Sequence, residues 1–313
     1  MILDDHFEST KYWLAISSIN DIGIKKIQIL LKRFGSLESV FSASPVEIAE
    51  LPRLNLAIAY EIIQTGKNLA KFEKFIEQIA KVGIQAICLD NPEYPNLLRF
   101  INNPPTIIYK KGKLSFDNSI NVAIVGNRFP SEKSAKIAEQ LAYELAKRKI
   151  TVVSGLALGI DTYAHLGALK AKGNTIAVLG SGLQNIYPQE NRKLAQTICR
   201  KGIIISECPP NQAVSKGMLI QRNRITSGLS LCVILIEPER GSLNTACWAL
   251  KQNRYIFLYD PKRNFETEEE FSKIKNKYLT IKSIDDIDII LDSLKSIDVS
   301  KFLADEQPQK DLF

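Results

Sequence analysis

The chain has 313 residues, 45% of them hydrophobic, enough for two or three domains with cores of their own. No apolar run approaches the roughly 18 residues of a membrane span, MILDDHFEST lacks the basic region and cleavage site of a secretory signal, and five cysteines without a CxxC pair argue against a zinc site or disulfide framework and for reduced thiols in the cytoplasm. Lys and Arg number 41 against 34 Asp and Glu; residues 262–313 hold nine basic and twelve acidic groups, leaving residues 1–261 at +10, a balance that permits a polyanionic partner without requiring one.

Residues 1–82 read as a helical domain, with apolar positions at helical spacing in Tyr12, Trp13, Leu14 and Ile16 and in Ile27, Leu30, Leu31 and Phe34. DIGIKKIQILLKRFGS places a glycine turn at Gly23 ahead of a basic helix. That is the pattern of a helix-hairpin-helix module, which can hold a phosphate on a helix N-terminus, and equally of a small packing bundle. Residues 83–118 read as a connector: strands IQAICL and TIIYKKGK flank the proline-rich NPEYPNLLRFINNPP, with the linker proper at Gly112 to Ser119.

Residues 119–295 alternate strand and helix. NVAIV stops at Gly126, Ser131 caps a helix with apolar Ala138, Leu141, Ala142 and Leu145, and Ile150 to Val153 follows as a second buried strand. TIAVLG, GIIISE, LCVILIE and YIFLY continue the series, giving six or seven mostly parallel strands with helices on both faces: a doubly wound, Rossmann-like α/β sheet. YIFLY is apolar on both faces, so it needs covering by a second copy of the chain or by segment 262–294. Residues 296–313 are a polar tail.

Candidate site residues fall at the strand ends. Arg128, just past Gly126 in VGNR, suits a phosphate or a local carboxylate. SGLALGID spaces Gly155 and Gly159 in a tight turn that opens a helix with Asp161 as its expected cap. Asp161 and His165 share one helix face, as a capping acid with a packed histidine or as two metal ligands. QRNRITSGLS sets Arg222 and Arg224 around Asn223 at a helix entry, and ERGSLNTA brings Ser242 and Thr245 to a helix N-terminus with free N–H groups for an anion. GxGxxG is absent, so no dinucleotide cofactor is expected.

VGNR, SGLALGIDTYAH, AVLGSGLQNIYPQENRKL, SECPP, RNRITSGLS and GSLNTA, in this order and spacing, resemble the DNA-processing protein A (DprA, or Smf) family over residues 120–260, with CLDNPEYPNLLRFINNPPTIIYKKG matching the segment before it. The resemblance implies a cytoplasmic, non-enzymatic protein of natural transformation (competence) and homologous recombination. It implies binding of single-stranded DNA, RecA loading and a homodimer, with no metal or cofactor. It further implies a sterile-alpha-motif-like or helix-hairpin-helix N-terminal domain. The DNA-binding positions it implies are Gly126, Arg128, Gly155, Gly159, Asp161, His165, Arg222, Asn223, Arg224, Ser242 and Thr245. The chain departs from the family pattern at Leu158, where Arg or Lys is usual, at LIQ before RNR, where Phe-Pro is usual, and at LYDPK, which replaces a Pro-Gly exit. A winged-helix domain is not expected. The alternative is a nucleotide-cleaving, phosphoribohydrolase-like enzyme with Glu237 as its acid; Tyr163 and Tyr187 are candidate base-stacking aromatics.

Overall fold

A computed structural model of the protein describes residues 5–114, 116, 120–260 and 269–297, without the side chains of residues 5–8 and 269–270. Contacts divide these residues into two units, 5–94 with 103–108 and 95–102 with 109–297. The tail expected at 296–313 lies outside the described residues from 298 onward.

The first unit follows the helical periodicity of its sequence: α1 Asp5–Ser17, α2 Ile24–Phe34, α3 Leu37–Ser42, α4 Pro45–Ala49, α5 Leu56–Gly66 and α6 Ala70–Lys81. Helix α2 starts at Gly23, buries Ile24, Ile27, Leu30 and Leu31, and ends at Gly35, whose φ of 81° needs glycine. Helix α4 starts at a capping box, Ser44 with Glu47, behind which Pro45 is preset for the first turn. The unit also holds β1 Ile84–Cys88 and the first residues of β2 Ile107–Gly112. The Tyr94 hydroxyl donates to Pro105 O across the intervening proline-rich segment, at 2.7 Å.

That segment holds α7 Asn96–Arg99. The second unit then runs β3 Asn121–Gly126, α8 Glu132–Lys147, β4 Thr151–Ser154, α9 Ile160–Lys170, β5 Thr175–Val178, α10 Arg192–Lys201, β6 Ile203–Ser206, α11 Lys216–Gly228, β7 Cys232–Ile236, α12 Arg240–Lys251, β8 Tyr255–Tyr259, α13 Glu269–Ile274, β9 Leu279–Thr280 and α14 Ile287–Ser296. The Tyr187–Pro188 peptide is cis. Strands hydrogen-bond in the order β1-β2-β6-β5-β4-β3-β7-β8-β9. From β6 through β9 the pairs described are parallel, and β2 pairs antiparallel with β6. The chain winds outward from β3 through β4 and β5 to β6, then returns to the other side of β3 with β7 and β8. Ligands of open α/β sheets bind at this reversal, outside the carboxyl ends of the strands.

Two expectations change. The sheet has nine strands among the described residues, not six or seven, because β1, β2 and β9 join it. The segment 83–118 is therefore no mere connector, and the division between units falls at Tyr94/Pro95 and Ile108/Tyr109, not at 82 and 118. Of the two coverings open to YIFLY, the structure shows the one by the chain's own segment: β9 pairs with β8, and Ile281, Ile287, Ile290 and Leu294 share a core with Phe257 and Tyr259, so YIFLY supplies no argument for a dimer. No described helix is long and apolar enough to cross a membrane.

On one face of the sheet, α8 and α9 pack together through Ala138, Leu141, Ala142, Ala164 and Ala168. Gly167 permits the close approach, since a Cβ there would stand 2.1 Å from Glu139 O. We expect Gly167→Ala to lower unfolding free energy by about 1–3 kcal/mol, the usual cost of overpacking, read as a shift in the urea midpoint at unchanged m-value.

Candidate functional site

At the reversal point lies a cleft of about 90 Å³, with Val125 and Gly126 from the end of β3 on one side and residues of α11 and α12 on the others. Gly126 is required by the sheet: a Cβ would stand 2.0 Å from Ile236 O on β7. Two residues later, half-exposed Arg128 places Nε 3.6 Å from Oε1 of Glu239. Glu239 caps α12, its carboxylate accepting the Ser242 N–H, while Ser242 Oγ accepts from Glu239 N at 3.0 Å and donates to Glu239 O at 2.9 Å. The Ser242 hydroxyl and N–H are thus taken up by the cap, which corrects the expectation that they stand free for an anion. Burial pushes the Glu239 carboxyl above its ordinary pKa, and the Arg128 charge opposes that rise.

The SGLALGID turn forms the next wall. Asp161 is not the helix cap: Gly159 holds that position at φ 74°. The buried Asp161 carboxylate turns back on the loop, accepting from Gly155 N at 3.0 Å and Ala157 N at 3.3 Å. Burial raises its pKa, and the Arg222 charge and these N–H donors oppose that rise. Gly159 seats the Arg128 loop, since a Cβ would stand 2.3 Å from Asn127 O. From the start of the next helix, Asn191 Nδ2 donates to Leu156 O at 2.8 Å, Ala157 O at 3.1 Å and Thr162 Oγ1 at 2.9 Å. Its place in QENRKL carried no sign of that role, because its partners lie 29 or more residues away in sequence.

Arg222 and Arg224 sit inside α11, whose cap is Ser215, and not at a helix entry. The Arg222 guanidinium is buried, donates to Val178 O at 2.7 Å, and leaves no room for a side chain at Gly155, where a Cβ would stand 1.6 Å from Nη1. Burial lowers its pKa and Asp161 counters. Arg224 makes a two-pronged pair with Glu207, at 3.0 and 2.5 Å, so its guanidinium is committed within the protein. Asn223 lines the cleft between them and donates to Gly241 O and Asn244 Oδ1.

His165 is fully buried and lies outside the cleft lining. Thr175 Oγ1 donates to Val152 O at 2.8 Å, so it accepts the proton that His165 Nδ1 presents at 2.7 Å, making His165 the Nδ1–H tautomer. Burial, with the Arg222 charge second, lowers its pKa to about 3. It cannot meet DNA without unpacking, and among the described residues no three His, Cys, Asp or Glu are placed to hold a metal. The structure thus brings Gly126, Arg128, Asp161, Arg222, Asn223, Ser242 and Thr245 to one cleft, with Gly155 and Gly159 supporting it from behind and His165 and Arg224 serving the fold. Leu219 and Ile220, from the LIQ that departs from the family pattern, join the lining, as does Glu239, which the sequence did not single out. Glu237, at φ 42°, gives its carboxylate to Ser131 N at 3.0 Å and Oγ at 2.7 Å.

A histidine whose folded pKa lies below its unfolded value stabilises fully above about pH 6.5 and loses that contribution as pH falls toward 3. His165→Asn, which keeps a donor toward Thr175, removes this proton linkage. We expect its unfolding free energy to depend less steeply on pH than the wild type's between pH 6.5 and 5, by up to about 1.4 kcal/mol per pH unit, measured by urea titration.

The family model described as DNA recombination-mediator protein A matches residues 85–292. Protein Smf of Synechocystis sp. is 37% identical over 252 residues, covering 79% of this chain and 63% of its own length, so the chain spans under two thirds of that relative. DNA processing protein DprA of Bacillus subtilis is 37% identical over 256 residues, covering 79% of this chain and 85% of its own. The X-ray structure of DprA from Streptococcus pneumoniae superposes at TM-score 0.74 with 26% identity, over 90% of this chain and 97% of that one. DprA from Helicobacter pylori, whose structure concerns its single-stranded DNA binding mode, superposes at TM-score 0.58 with 30% identity, over 67% of this chain and 97% of that one.

Proposed function

Because the chain belongs to the DNA recombination-mediator protein A family, we propose that it binds single-stranded DNA in the cleft between β3 and α12 and hands that DNA to the recombinase RecA during homologous recombination of incoming strands. The observation that carries the reading is the convergence of Arg128, Arg222 and Asn223 at the reversal point of the sheet. Arg222 is fixed and buried; Arg128 is half exposed, with its guanidinium in a 3.6 Å pair with Glu239. Exposed pairs of this kind contribute at most about 1 kcal/mol, so a phosphate can take the guanidinium from Glu239 at little cost. Leu219 and Ile220, in place of the family's Phe-Pro, give the cleft an aliphatic wall. The protein acts in the cytoplasm as a homodimer, which places two clefts on one strand and raises avidity without new residues.

The role is binding and not catalysis. Glu237, the acid a phosphoribohydrolase would use, serves to anchor the cap of α8. Incubation with nucleoside monophosphates is expected to release no free base.

Titration with single-stranded and duplex DNA at several salt concentrations tests the proposal. Single strands bind more tightly, and each neutralised phosphate contributes about −0.7 to the log–log salt slope. Arg128→Ala weakens binding and flattens the slope by about 0.7 with little change in melting temperature. Preference for duplex, or binding indifferent to salt, would overturn the cleft model.

Glu239 stands as a fixed anion beside the phosphate path. Glu239→Gln keeps a cap acceptor and removes the charge, so it is expected to tighten single-strand binding by about threefold, within the range of an exposed charge pair. Its raised pKa adds a pH signature: wild-type affinity climbs as falling pH protonates Glu239, and the variant lacks that part of the climb.

A further inference from the structure

Of the exposed hydrophobic side chains among the described residues, Phe129 is the most accessible, at 81%. A lone exposed apolar residue needs no explanation by itself, but Phe129 immediately follows Arg128 and its backbone is fixed on both sides. Its N–H donates to Asn127 Oδ1 at 2.7 Å, and Asn127 O accepts from Ile160 N at 3.0 Å. The backbone of Asn127 and Arg128 lies against Gly159 so closely that a Cβ there would clash. On the other side Pro130 restricts Phe129 to extended conformations, and Ser131 is tied to Glu237 through both its N–H and its hydroxyl. An aromatic ring is thus presented to solvent on a rigid loop beside a cation at the edge of the cleft. A flexible loop would have to be ordered on binding; this one is ordered beforehand, so contact costs little conformational entropy.

Unstacked bases offer an apolar face to any aromatic side chain, whatever their sequence, and their phosphates need a cation nearby. We infer that Phe129 is the stacking platform for a base of the nucleotide whose phosphate meets Arg128. This rests on the single-strand reading above and adds to it a residue that separates nucleic acid from a bare polyanion. Tyr163 packs against the core beside β3 and is partly buried, which leaves it a poorer platform.

The test is a titration of the full chain with an oligothymidylate and with an abasic strand of equal phosphate count. The wild type is expected to prefer the base-bearing strand by about tenfold, the scale of one stacked base. Phe129→Ala abolishes that preference, leaves abasic binding and the salt slope unchanged, and melts at the wild-type temperature. Phe129→Trp retains the preference and shows fluorescence quenching by the base-bearing strand beyond that of the wild type. If Phe129→Ala binds both strands like the wild type, weakens both equally, or alters only self-association, Phe129 is no stacking residue. If binding persists and responds to Arg128→Ala in that case, the single-strand reading survives; a wild type that binds neither strand removes both.

Discussion

A buried guanidinium needs partners and a counter-charge within the protein, and the Arg222 side chain organises its surroundings on that condition. Its Nη1 reaches Val178 O at the end of β5, its face lies on the Gly155 backbone after β4, and its charge is countered by Asp161 on α9. Two strand–helix connections, β4–α9 and β5–α10, are thereby tied to α11. Arg222 and Asp161 are both buried, so removing either leaves the other without its counter-charge. Gly155 is glycine for the same reason: the space of its side chain belongs to Arg222.

The loop above Arg222 is braced from three directions. Asp161 holds the N–H groups of Gly155 and Ala157, Asn191 holds the carbonyls of Leu156 and Ala157, and Gly159 supports the turn that carries Arg128. Of the two arginines that line the cleft, one is therefore immobile and one is half exposed. The cleft also holds Asp161 and Glu239, two carboxylates beside the two arginines. Asp161 is committed to the loop and to the Arg222 charge, which leaves Arg128 and Glu239 as the exposed charge pair of the cleft. In the proposed binding of single-stranded DNA, the separation of that pair is what connects a single exposed contact to the salt and pH dependence of the cleft.

On α11 and α12 the local pattern does not separate internal from external partners. RNR and GSLNTA hold residue types that suit anions, and type alone does not say whether the partner is a ligand or the protein. Arg224 pairs with Glu207 and His165 with Thr175, each across a separation that local pattern does not encode. Glu239 and Ser242 are only three residues apart, yet a glutamate serving as its own helix's cap was not anticipated, because Ser, Thr, Asp and Asn are the usual choices there. Phe129 was legible as a residue and not as a site, since its accessibility depends on what the neighbouring elements leave uncovered.

Periodicity and glycine punctuation determined the helical first region, the strand–helix alternation, the Ser131 cap and the position of the glycine turns, because these are set by interactions within a few residues along the chain. The same local signals placed Gly126 and Arg128 at a strand's carboxyl end. Only the tertiary structure decided that β2 pairs antiparallel with β6, that β9 closes the edge at β8, and which arginine faces the cleft. Those outcomes depend on contacts between residues distant in sequence, where burial and geometry choose among partners that composition leaves equal.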